Sequence, residues 1–382
     1  MINKRGTVCL ATSLGKMFVF LHALHTMEKN DDIHLFLAET TARKVDLRDS
    51  IKTFDEKFNK DTLNDYNLKF YCYQTVYKWK GKSFGLVTCD ECHVQLSPSY
   101  IQFHKFNKYK AVLGLSATID RDTEYESRGV TFTKGDMLDK YMPICYLYTL
   151  DKARTNDINR EVDIHIIYNE LDHKNECITT RKNGKTLLTE LQAYKHWNKR
   201  LAQSMFADPS KREIIAYMAI NGRSKLLYNL PSKTRIVKKL LPHLDNILIF
   251  GNSIDSLLTV TDNVISSRNS EKKNNFIRHQ FETGKENIIA SFKMLEQGAT
   301  IKGMQNMIMM SYYSKSLGAI QKMGRHRKIG DSKGNAFILV TKDTQEEKWL
   351  SKFIGNFKSY NIIKHENVNL CIKYLKNEKY DN

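Results

Sequence analysis

The sequence lacks the features that would carry it out of a cell or into a membrane. It shows no secretory leader and no transit peptide, and its apolar run at residues 18–24 (FVFLHAL) is far too short to span a bilayer. A soluble cytoplasmic chain with no membrane partner is the expectation. Seven cysteines, an odd number scattered over 382 residues, argue against a disulfide framework and for reduced thiols. Cys89, Cys92 and His93 have the spacing of a zinc half-site or a haem attachment site. No second cysteine pair offers further zinc ligands, and no export signal accompanies a haem. Acidic residues are in short supply as well: 42 face 60 Lys and Arg, giving a net charge of +18 and a pI near 9.4. Such an excess suits a polyanionic partner, because Lys and Arg gain affinity by displacing counterions from phosphates.

A chain of this length exceeds one ordinary core and suits two domains. What it does contain is a series of short apolar runs that end abruptly in polar residues. The central one, residues 84–93 (FGLVTCDECH), reads as a buried strand delivering Asp90 and Glu91 to its tip. In an open parallel sheet ligands bind outside the carboxyl ends of the strands, so both carboxylates face a ligand. Paired carboxylates there suit a hard cation carrying phosphate oxygens. Asp90 is the candidate metal anchor, and Glu91 the group that polarises an attacking water.

Upstream, residues 7–11 (TVCLA) read as a strand, then Thr12, Ser13, Leu14, Gly15, Lys16 and Met17 lead into an apolar, helix-like run to Met27. Strand, tight loop with Gly-Lys, then helix is the arrangement that cradles phosphate, with Lys16 reaching its terminal groups. The first glycine of the usual pattern is missing, and Met17 stands where a Ser or Thr is usual. Downstream, residues 111–115 read as another buried strand that runs into Ser116, Ala117 and Thr118, and much later comes Gln321-Lys-Met-Gly-Arg325-His-Arg-Lys328.

On these residues the chain resembles superfamily 2 (DEAD/DEAH-like) helicases, from about Thr7 to about Val340. The carboxylate box reads Asp90-Glu91-Cys92-His93, a DECH box; Ser116 and Thr118 form the coupling motif, and Gln321, Gly324 and Arg325 resemble the arginine-finger motif. Within that superfamily the chain looks most like phage-encoded DNA helicases of the fork-remodelling UvsW type. The resemblance implies two RecA-like, doubly wound parallel-sheet domains in tandem, an ATP and Mg2+ site between them, and DNA as substrate in phage replication, recombination or repair. It further implies that Thr12, Ser13, Gly15, Lys16, Met17 and Asp90 bind the nucleotide. Glu91, Gln321, Arg325 and Lys328 would serve catalysis, and Thr40, Thr41, Arg43, Gln74 and Thr75 would contact the nucleic-acid backbone. The first domain is expected over residues 1–150 and the second over 158–382, with a hinge at 151–157 and a helical excursion at 170–230. The lysine-rich tail from Lys342 reads as closing helices.

Three departures bear on function. The chain begins a few residues before the phosphate loop, without the segment that reads adenine in many relatives; a partner chain is a candidate source of it. Lysine occupies the last arginine position of the finger motif at Lys328, and lysine does not reproduce a guanidinium fork. Met17 offers a thioether to a hard cation, a poor ligand. Two rival readings follow: a catalytically impaired helicase-like module that binds nucleic acid, and the motor part of a larger restriction or repair assembly.

Overall fold

The structure is a computed structural model that describes every residue apart from 1–3, 11–13, 42, 118, 120, 128–129, 150–151, 153–155, 157–160, 182–183, 293–300, 312–332, 356, 358–359 and 379–382. Described residues up to 156 form one compact unit and those from 161 onward another. Each is built on one parallel sheet, so the fold is two RecA-like α/β domains in tandem. No helix among the described residues is long and apolar enough to cross a membrane.

The first sheet comprises β1 (Lys4–Leu10), β2 (Ile33–Ala38), β3 (Asn67–Cys72), β4 (Ser83–Asp90), β5 (Lys108–Ser116) and β8 (Ile144–Tyr148), in the order β3-β2-β4-β5-β1-β8. All its neighbours are parallel. Successive side chains on a strand point to opposite faces, and here both faces are covered. Leu35, Leu37, Val87 and Val112 pack on one side with Tyr73, Phe103 and Leu138. Phe36, Leu86, Leu113 and Leu115 pack on the other with Phe20, Leu21 and Leu24 of helix Lys16–His25 and with Leu47, Ile51 and Phe54 of helix Arg43–Phe58. Burial on both faces is why these strands read as continuous apolar runs. Outside the sheet, β6 (Glu124–Ser127) pairs antiparallel with β7 (Val130–Thr133). Trp79 is a packed aromatic, its ring edge-on to Tyr71 at 4.9 Å.

The second sheet adds β9 (Val162–Asn169), β12 (Ile247–Gly251), β13 (Val264–Ile265), β14 (Ile288–Phe292), β15 (Asn306–Met309), β16 (Gly334–Thr341) and β17 (Asn361–His365), in the order β13-β14-β12-β15-β16-β9-β17, again all parallel. The excursion at 170–230 opens as an antiparallel pair, β10 (Asn175–Arg181) and β11 (Gly184–Thr189), before it turns helical. Helix Glu190–Ser204 starts at a reciprocal cap in which Thr189 and Gln192 satisfy each other's backbone N–H. Helix Pro209–Tyr228 packs on it at Gly222, where a Cβ would lie 2.4 Å from the Trp197 ring.

The tail is more than closing helices. Helix Gln345–Ile354 is followed by the edge strand β17 and by helix Val368–Glu378. Val368, Cys371 and Leu375 belong to the main core of this unit beside Ile167, Phe337 and Leu339. Lys364 and a half-exposed edge disguise β17 in the sequence, and cutting the chain after Val340 would remove core rather than a solvated arm.

One buried ion pair ties this unit together. Lys233 in helix Pro231–Leu240 meets Glu346 at 2.5 Å, both side chains almost fully shielded. Lys233 also donates to the Leu227 carbonyl, and Glu346 accepts from the Thr341 N–H. Removing one partner strands a charge in the core, at a cost of about 3–5 kcal/mol. Lys233→Met should therefore lower unfolding free energy by about that amount in urea titrations, far more than the loss of an exposed pair such as Arg268–Asp255.

Candidate functional site

Because the first sheet is parallel, β1, β4 and β5 end along the same edge, and the helix after β1 begins there. Gly15 takes the left-handed conformation (φ +79°) that redirects the chain into helix Lys16–His25. Lys16, 8 % exposed, turns to the tip of β4 and places Nζ 3.0 Å from Glu91 Oε1. Glu91 is itself in the left-handed region (φ 50°, ψ 54°), which costs a non-glycine residue roughly 1–2 kcal/mol. The turn separates the two adjacent carboxylates. Asp90 accepts from Arg43, with Nε at 2.7 Å and Nη2 at 2.6 Å from the same Oδ2.

The second oxygen of Glu91 is also held. Ser116, at the end of β5, donates its hydroxyl to Oε2 at 3.2 Å, and His93 Nδ1 lies 3.1 Å from that hydroxyl and 3.5 Å from Oε2. The strand tips thus assemble Lys16, Glu91, His93 and Ser116 into one buried polar cluster. Burial opposes the charge on Glu91, but Lys16, His93 and Arg43 outweigh it and bring its pKa down to about 2. For Asp90 burial prevails over Arg43, and its pKa is raised.

Asp90 also decides whether a cation fits. Its Oδ1 is buried with no hydrogen-bond partner, an acceptor left open at the carboxyl edge of the sheet. A hard divalent cation takes oxygen ligands of this kind, so the residues present suit Mg2+ with Asp90 as its protein anchor. Met17 contributes nothing there: it is 8 % exposed and packs in the core cluster with Phe20 and Leu21.

The remaining predicted residues divide. Thr40 and Thr41 are exposed just beyond β2, and Gln74 and Thr75 are exposed on the turn Tyr73–Val76. Gln74 Nε2 donates to the Glu39 carbonyl at 3.2 Å, which brings these two segments together. Arg43 differs from its expected place facing a nucleic-acid backbone: its guanidinium, 12 % exposed, is engaged by Asp90 and by Asp46 at 2.9 Å. β2 is next to β4 in the sheet, so a residue just after β2 reaches the tip of β4. Thr12, Ser13, Thr118, Gln321, Arg325 and Lys328 lie outside the described residues. Sequence reasoning missed Tyr73, whose buried hydroxyl donates to the Asp90 carbonyl at 2.7 Å, and Glu39, whose Oε2 is buried with no hydrogen-bond partner and whose pKa is raised by burial and by Glu91. It quoted His93 only as part of a box. A histidine one residue past the second carboxylate was the available signal.

The fold, two RecA-like domains in tandem, is one that solved helicase structures share. Residues 2–121 match the family described as Type III restriction enzyme, res subunit. No curated protein matches the chain. Among solved structures it is similar to Saccharomyces cerevisiae Dbp5 bound to RNA and ADP BeF3, with 11 % identity, a TM-score of 0.56, and coverage of 98 % of this chain and 89 % of that one. It is also similar to the ATP-dependent Type ISP restriction-modification enzyme LlaBIII bound to DNA (14 % identity, TM-score 0.58, 96 % of this chain and 30 % of that one). A third is the Pyrococcus furiosus Hef helicase domain (12 % identity, TM-score 0.53, 91 % and 94 %).

The depressed pKa of Glu91 has a stability signature. A carboxylate whose folded pKa lies below its unfolded value near 4.5 stabilises the fold above that value and loses the effect as pH falls toward 2. The shift corresponds to on the order of 3 kcal/mol. Glu91→Gln should thus be less stable than the parent chain at pH 7, and the gap should narrow as pH is lowered from 5 toward 3, read by denaturant unfolding across that range.

Proposed function

We propose that this chain is an ATP-driven helicase or translocase acting on nucleic acid, with DNA as substrate and phage replication, recombination or repair as its setting. The observation that carries the reading is the cluster at the carboxyl edge of the first sheet, in which Lys16 and Ser116 hold the two oxygens of Glu91 separately. Incoming polyphosphate competes for the Lys16 ammonium. As Lys16 moves onto phosphate, Glu91 loses the foremost of the cations that hold its pKa down, and its basicity rises while Ser116 and His93 keep Oε2 in place. Oε1 then faces the attacking water and takes its proton. Magnesium, when bound at Asp90, would neutralise charge on the transferring phosphoryl oxygens. Asp90 must be ionised to hold it, and Arg43 beside it supports that form. Arg325 supplies a guanidinium to the charge that develops in phosphoryl transfer, with Gln321 and Lys328 beside it in sequence. Ser116 joins Glu91 to the strand before Thr118, which gives the nucleotide state a path to the nucleic-acid grip. Exposed Thr40, Thr41, Gln74 and Thr75 lie on the two linked segments that would track the backbone.

A second reading, the motor part of a restriction assembly, is favoured by the match to the Type III restriction family and by the likeness to LlaBIII. Stimulation by plain duplex but not by single-stranded or forked DNA would select it.

Hydrolysis should be stimulated by nucleic acid. Glu91→Gln should lower turnover by about 10²–10⁴ while nucleotide still binds, and Arg325→Ala should lower it by about 10³ or more with binding kept. Turnover that is unstimulated and insensitive to both changes would refute the motor reading, and absence of any turnover would make the chain a binding module.

The charge excess gives a separate expectation. DNA affinity should fall by roughly 10³ or more between 50 and 200 mM salt with little sequence preference, because backbone contacts release counterions and read no bases. Fluorescence anisotropy on unrelated sequences measures it, and a flat response would count against a backbone-tracking surface.

A further inference from the structure

The second unit holds a cluster that nucleotide chemistry does not use. His165 in β9, His365 at the end of β17 and Cys371 in helix Val368–Glu378 each present one metal-ligand type atom, and the three atoms lie within 4.8 Å of one another. All three side chains are buried, His165 and Cys371 completely. His165 Nδ1 and His365 Nε2 are 3.0 Å apart.

The hydrogen bonds around them fix a tautomer. The Asp245 carbonyl can only accept, so the Asn306 atom 2.6 Å from it is the amide nitrogen. Asn306 Oδ1 then accepts from Asn335 Nδ2 at 3.0 Å, which leaves Asn335 Oδ1 as the atom 3.2 Å from His165 Nε2. An amide oxygen only accepts, so Nε2 carries the hydrogen and Nδ1 of the neutral ring presents a lone pair. A ring N–H donated to an oxygen is the supporting contact of a metal-ligating histidine, and the other nitrogen here lies within 4.8 Å of the other two donor atoms.

We propose that His165, His365 and Cys371 form a zinc site that fastens the C-terminal strand and helix to the sheet of the second domain. Zn–N distances of about 2.0–2.1 Å and a Zn–S distance of about 2.3 Å set tetrahedral ligand separations of roughly 3.3–3.6 Å. The two nitrogens are within a few tenths of an ångström of this, and the sulfur has on the order of 1 Å to move at most. In the metal-free protein a proton on His365 Nε2 fills the space between the nitrogens. Zinc takes its place: that proton moves to His365 Nδ1, the Cys371 thiol loses its own to solvent, and two N–Zn bonds and one S–Zn bond form. One proton is released per ion, and a water completes the coordination. Imidazole and thiolate donors without a carboxylate select zinc over magnesium or calcium. The bond would join residues 200 positions apart in sequence.

The test is zinc binding to the whole chain after chelator treatment and dialysis. We expect one zinc per chain by elemental analysis and a rise in Tm on adding zinc. Cobalt should give a thiolate-to-metal absorption band that disappears in Cys371→Ala, and a His365→Gln/Cys371→Ala double variant should not retain the ion. If the variants fail to fold, zinc and cobalt titration of the parent chain decides alone, through stoichiometry, the thiolate band and the Tm. Failure of the parent chain to take up stoichiometric metal, a Tm indifferent to zinc, or uptake unchanged in the folded double variant would overturn the site.

Discussion

The ion pair between Lys16 and Glu91 is the interaction on which the first domain is arranged. It closes a loop of 75 residues and requires β1 and β4 to end level with each other, with β5 between them to supply Ser116. Desolvation of both ions offsets much of the attraction in a buried pair of this kind, yet removing one partner strands the other's charge. The pair's value is poise: Lys16 is the foremost of the cations that hold Glu91 in the charged form, inside a site where an unpaired charge would be costly. Glu91 accepts a left-handed backbone to take part, and the same turn sends Asp90 to Arg43. Two adjacent carboxylates thereby meet two different cations and acquire opposite shifts, one pKa down and the other up. Environments that drive neighbouring carboxylates apart are the usual way in which a single site divides its roles.

Much of this was legible because parallel-sheet strands are plain in sequence. Runs such as 84–90 and 111–115 are buried on both faces, so they are apolar throughout, and their polar ends mark the functional edge of the sheet. Lys16, Glu91 and Ser116 meet at the edge where the motifs suggested. Less legible was anything set by lateral neighbours. Arg43 looked like a surface contact because the sequence does not tell which strands are adjacent; once β2 lies beside β4, its guanidinium has a carboxylate within reach. The tail misled for a similar reason. β17 is a short edge strand, half polar because one side faces solvent, and only its pairing with β9 reveals it.

The second domain shows a related economy of polar groups. Its sheet is crossed by a chain of side-chain hydrogen bonds from the Asp245 carbonyl through Asn306 and Asn335 to His165 and His365, following the strand order β12, β15, β16, β9 and β17. Buried amides and imidazoles of this kind are tolerated only where each donor meets an acceptor, and such a chain fixes register, because a slip of one residue would turn its members to the opposite face. Five strands whose cores are nearly interchangeable in Ile, Leu, Val and Met gain from that constraint a single order of assembly.

Met17 shows how two requirements can conflict at one position. In the proposed site the first turn of the helix after Gly15 would both face the nucleotide and pack on the sheet, and a Ser or Thr there would serve the cation while leaving the core short of a side chain. In this chain the core has the residue: Met17 lies among Phe20, Leu21 and Leu24. Flexible and unbranched, methionine fills such a gap well. In the proposed site the coordination that a hydroxyl would have provided would then come from water, with Asp90 as the carboxylate anchor. That places more weight on Arg43. Burial raises the pKa of Asp90, and the guanidinium beside it is the fixed charge that opposes that shift. In the proposed site a residue first read as a nucleic-acid contact would thus bear on metal affinity, which would link the loss of the hydroxyl at 17 to the presence of the arginine at 43.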